Sequence, residues 1–70
     1  MNNIIKHTNG MSLAELKELL IKLENALTIR RKMLTNAIKN LDEFAVNACR
    51  IGIRDNENKI AYIREKLANA

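Results

Sequence analysis

Apolar residues recur with a strict seven-residue repeat over more than half of this chain. Counted as a and d positions from Leu13, the repeat reads Leu13, Leu16, Leu20, Leu23, Leu27, Arg30, Leu34, Ala37, Leu41, Phe44, Ala48 and Ile51, and only Arg30 is polar. A 3-4 spacing sustained this long belongs to a helix that buries a narrow seam against another helix. It leaves few folds open to 70 residues. A chain of that size buries only about 60% of the surface its unfolded form exposes. Small domains make up the deficit with disulfides, metals, regular helix packing or association. Cys49 is the single cysteine and His7 the single histidine, so neither an intrachain disulfide nor a Cys/His zinc set is available. Association is the expected stabiliser.

Helix boundaries follow from capping chemistry. Asn9-Gly10 is a strong breaker, so residues 1–11 are read as an N-terminal arm that is flexible or packs locally on the first helix. Ser12 and Glu15 then form a capping box, each side chain paired with the other's backbone amide. The repeat runs on to Ile51, and Gly52 follows in the position where a left-handed glycine ends a helix. A long helix over about 12–51 is therefore expected, about 58 Å in length at ~1.5 Å per residue. Thr28-Ile29 and Asn40 to Asp42 are its weak points, and a kink or break at either is the alternative to one continuous rod. Residues 52–56 read as a connection. A short second helix over about 56–69 carries the stripe Ile60, Ile63 and Leu67 in a different phase. The fold class is all-α, a single helical hairpin domain over 12–70, with coiled-coil or four-helix-bundle association.

A short second helix in such a hairpin reaches only Leu34 to Ile51. Leu13, Leu16, Leu20, Leu23 and Leu27, flanked by Leu19 and Ala26, would stay uncovered, and those seven residues are the candidate partner-binding set. Apolar residues in the flanking columns (Leu19, Ala26 and Met33 on one side, Ile38 and Ala45 on the other) favour a bundle over a two-stranded coil. The expected partner is a second copy, as dimer or tetramer, or a larger protein.

The net charge of +4 is mildly basic and well mixed along the chain. Its one cluster, Arg30-Arg31-Lys32, with Lys39 a little further on, is a candidate contact for nucleic acid or an acidic partner. No Ser/His/Asp set, glycine-rich phosphate loop or HExxH motif occurs, so no catalytic residue and no cofactor is expected. No apolar run approaches the ~18 residues of a membrane span. The lone thiol and the lack of an export signal point to the cytoplasm.

Residues 11–31, MSLAELKELLIKLENALTIRR, resemble the oligomerisation core of the histone-like nucleoid-structuring (H-NS) family. The resemblance rests on Ser12, Leu13, Glu15, Leu16, Leu20, Leu23, Glu24, Arg30 and Arg31. It implies a dimerising module with the matched leucines as dimer core and Arg30-Arg31 in an exposed linker helix. That family's Trp/Gly-rich DNA-binding domain has no counterpart in these residues. The implied action is pairing with a full-length relative to alter its assembly. The expected function is thus a non-enzymatic helical interaction module: a small adaptor, co-chaperone, regulator or inhibitor. The alternative is a basic helical dimer that binds nucleic acid or modulates such a nucleoid protein.

Overall fold

The computed structural model describes residues 2–70; Met1, the first residue of the expected arm, lies outside them. Three helices follow in order: α1 (Asn2–Thr8), α2 (Leu13–Lys39) and α3 (Glu43–Ala68). Helices α2 and α3 form an antiparallel hairpin, and the molecule extends 44 × 20 × 15 Å. Ion pairs tie the two helices together in that orientation, Arg31 to Glu57 at 3.4 Å and Arg64 to Glu24 at 3.1 Å.

Helix α2 starts where its caps direct. The Glu15 amide donates to Ser12 Oγ at 3.2 Å, and the Ser12 amide donates to Glu15 Oε1 at 3.1 Å. That second bond, from the Ser12 backbone, is the main reason the Glu15 carboxyl sits below its usual range.

The helix ends at Lys39, thirteen residues before Gly52. The Asp42 amide donates to the Ala37 carbonyl at 3.0 Å and the Leu41 amide to the Ile38 carbonyl at 3.1 Å. These are the two bonds of a Schellman cap with Leu41 as its left-handed residue, at φ 54°. Asp42 immediately caps α3, accepting from the Ala45 amide at 3.1 Å. The expected long helix over 12–51 and short helix over 56–69 are corrected accordingly. The break falls at Asn40 to Asp42, one of the two weak points, and the helices have 27 and 26 residues.

Gly52 serves a different purpose inside α3. A Cβ there would collide with the Arg30 guanidinium, which lies across the glycine. The glycine sits within the helix and not at a turn, and a side chain there would displace the flexible end of Arg30.

The seam follows from that turn. On α2 it takes Leu16, Leu20, Leu23, Leu27, Leu34 and Ala37, all buried or half-buried. On α3 it takes Ala45, Cys49, Ile53, Asn56, Ile60, Ile63 and Leu67. The stripe legible at Ile60, Ile63 and Leu67 therefore extends backwards through the whole of α3, with the buried Asn56 interrupting its apolar character.

The best-packed part of the core lies at the end away from the turn. Ile63 has 0% exposure and Leu16 has 2%, and Ile4 of α1 packs against both. Of the two expectations for the arm, local packing describes these residues. Thr8 Oγ1 donates to the Ile4 carbonyl at 2.8 Å, which satisfies a buried hydroxyl inside α1. Lys66 Nζ lies 3.5 Å from the Thr8 carbonyl at the end of that helix. Gly10, at φ 83°, then reverses the chain into α2.

Candidate interaction surface

The seven residues expected to await a partner are mostly used within the chain. Leu16 is buried. Leu19, Leu20, Leu23, Ala26 and Leu27 are half-buried, and Leu13 alone is exposed, at 51%. Leu19, Leu20 and Leu23 pack onto the Ile4–Leu16–Ile63 core. The premise of an uncovered seam is corrected for a geometric reason. With the turn at residue 41, α3 is as long as α2 and covers it, and α1 closes one face of the same end.

The most exposed large apolar residues lie at the other end, in the turn half of the hairpin. Leu41 is 88% exposed, Phe44 86% and Ile51 73%; Ile29, Met33 and Ile38 are also exposed. Leu41, Phe44, Ala48 and Ile51 are the last four members of the original heptad repeat. Segment 41–53 thus carries two apolar stripes. The fold buries the one through Ala45, Cys49 and Ile53 and turns the other outwards. Ala48 and Cys49 meet Ala26, Ile29 and Met33 of α2 along a shallow groove, with Arg30 at its edge. The repeat contains the signal for this surface, but its phase is that of the buried seam.

The two broad faces of the hairpin differ in character. One holds both interhelical ion pairs and the mixed set Glu24, Thr28, Arg31, Glu57 and Arg64. The other carries the apolar groove.

The basic candidates are dispersed. Arg31 is paired with Glu57, and Arg30 lies over Gly52. Lys32 and Lys39 are exposed and form no ion pair among the described residues. Lys32 is one residue from Arg31 and two from Arg30, spacings that do not share a helical face. Asp55 is held below its usual range first by a hydrogen bond from Lys59, which sits 2.9 Å away.

No group of three or more His, Cys, Asp and Glu side chains that could hold a metal ion occurs among the described residues. Within the same residues, no helix is long and apolar enough to cross a membrane. Compared with known proteins, the chain matches no protein-family model, and no curated protein and no solved structure is significantly similar to it.

Proposed function

We propose that this chain is a non-enzymatic helical interaction module, a small adaptor or regulator that binds protein through the turn half of its hairpin. One observation carries the reading. Leu41 occupies a left-handed backbone position that costs an L-residue about 1–2 kcal/mol, yet its side chain is 88% exposed and gains almost no burial in return. Glycine would satisfy the same cap without strain. Beside it stands Phe44, the only phenylalanine of the chain, equally exposed. Strain and exposed apolar area at one spot fit a binding site better than a stability device. The lone thiol, half-buried at Cys49, suits a reducing cytoplasm.

The nucleic-acid reading has weaker support, because Arg31 is paired with Glu57 and Arg30 lies over Gly52. The matched leucines of the H-NS resemblance, other than Leu13, pack inside the chain, which leaves that dimer core already occupied.

A photo-crosslinking side chain placed at position 44 tests the proposal in the source cell, with position 17 on the exposed face of α2 as control. Protein adducts at 44 and none at 17 are expected. Equal or absent crosslinking at both sites would remove the proposal.

A further inference from the structure

We propose that the occupant of this surface is a second copy of the same chain, related by a two-fold axis near Ala48, so that the turn halves of two hairpins form a four-helix core. The inference rests on the interaction reading above and names its partner.

Three observations lead to it. The first is area. The chain exposes 5326 Å², whereas a compact monomer of its 8.0 kDa mass exposes about 4,450 Å² by the usual size scaling. The excess of about 900 Å², spread over an elongated 44 × 20 × 15 Å molecule, is enough to supply the ~800 Å² that each partner contributes to a standard stable interface.

The second is periodicity. Phe44, Ala48 and Ile51 hold a 4-3 spacing on the outer side of α3, and two exposed α2 residues, Ile29 and Met33, stand one turn apart across the groove. That is the spacing of a helix-packing seam, and among the described residues Phe44 and Ile51 stay exposed. The same face at the opposite end of the hairpin already takes a third helix, since α1 docks there through Ile4.

The third is self-complementarity. An isologous contact needs one patch to supply both projections and recesses, because each residue meets its own set on the other copy. This patch has both. Phe44 and Ile51 project at 86% and 73% exposure, and the small Ala48, between them in the stripe, also lines the shallow groove with Cys49 and Met33. With the axis near Ala48, antiparallel α3 helices set Phe44 of one copy near Ile51 of the other. Phe44, Ala48 and Ile51 are themselves uncharged, while Arg30 borders the groove and Arg50, Arg54 and Asp55 border Ile51, so the contact has an apolar centre and a charged rim.

Light scattering on the purified full chain across a dilution series, with circular dichroism on the same samples, tests the inference. Wild type should have twice the 8.0 kDa chain mass. Phe44→Asp should raise the dissociation constant by at least about 100-fold, while Leu13→Asp at the opposite end leaves it unchanged. Should Phe44→Asp lose helicity together with mass, a second variant decides. Ala48→Cys in a Cys49→Ser background should oxidise to a covalent dimer, since a residue on the axis faces its own copy, and Lys17→Cys in that background should not. A helical wild type that stays at chain mass would overturn the second-copy inference. The crosslinking at position 44 would then still decide the wider reading. A dimer indifferent to Phe44→Asp, or one that Ala48→Cys fails to trap, would also overturn it.

Discussion

Replacing Leu41 by glycine discriminates between the two architectures this sequence allows, because the sign of the effect differs. In the observed hairpin, Leu41 sits at φ 54° as the left-handed residue of the Schellman cap. Its side chain is 88% exposed, so truncation forfeits little burial. Relief of the left-handed conformation is worth about 1–2 kcal/mol. Glycine gives back about 0.5–1 kcal/mol through the larger entropy of its unfolded chain. The net expectation is a stabilisation of about 0.5–1 kcal/mol, or a rise in Tm of about 2–8 °C for a domain of this size. In a rod continuous through residue 41, the same glycine would lie mid-helix and cost about 1 kcal/mol. The assay is urea unfolding followed by far-ultraviolet circular dichroism, at a dilution where the chain has its monomer mass. A higher midpoint at unchanged slope is expected. A lower midpoint would refute both the position of the turn and the strain argument built on it.

Two further outcomes follow from the core and the caps. Ile63→Ala removes the most completely buried large side chain and should cost about 2–5 kcal/mol, much of the total for a 70-residue domain, whereas Ile21→Ala on the exposed face should be nearly neutral; equal urea midpoints for the two variants would contradict the packing described. Glu15 and Asp55 both have lowered pKa values in the folded chain, so their contribution to stability is full above the ordinary carboxylate range and is lost as pH falls through their folded values. Urea midpoints should therefore drop on acidification from pH about 5 to 3, and Glu15→Gln, which removes the titrating carboxyl of the capping box, should reduce that drop. An unaltered pH dependence in Glu15→Gln would rule out the Glu15 share.

The resolved parts of the fold differ in how local their causes are. The start of α2 was legible because a capping box is complete within four residues, Ser12 to Glu15. The all-helical class was legible because periodicity is a property of one strip of chain. The stripe of α3 was legible at Ile60, Ile63 and Leu67, where no other apolar pattern competes. Upstream of these, Asn56 and Gly52 hid its continuation, and the stronger repeat through Leu41, Phe44, Ala48 and Ile51 took its place in the reading.

Three local signals meet at the turn and at Gly52, and they conflict. Gly52 is a good left-handed residue and Leu41 a poor one, so propensity puts the helix end at the glycine. Asn40 and Asp42 mark a break, but with less force than an unbroken heptad. The conflict is resolved by packing. A turn at residue 41 gives α2 and α3 nearly equal length, which buries Leu16, Leu20, Leu23 and Leu27 along a full partner helix. It also lets the Arg30 side chain lie across Gly52. Burial of several leucines, at about 1.5–3 kcal/mol for each one fully buried, outweighs the strain of one leucine in the left-handed region.

The candidate site moved for the same reason. The sequence alone determined that this chain is helical, that α2 begins at a capping box, and that it carries more apolar stripe than one short hairpin can bury. Which stripe is buried was decided only by the tertiary structure. Two stripes overlap on residues 41–53, and a helix can turn just one of them towards α2. That choice depends on contacts between residues as far apart in sequence as Glu24 and Arg64, which no local pattern contains.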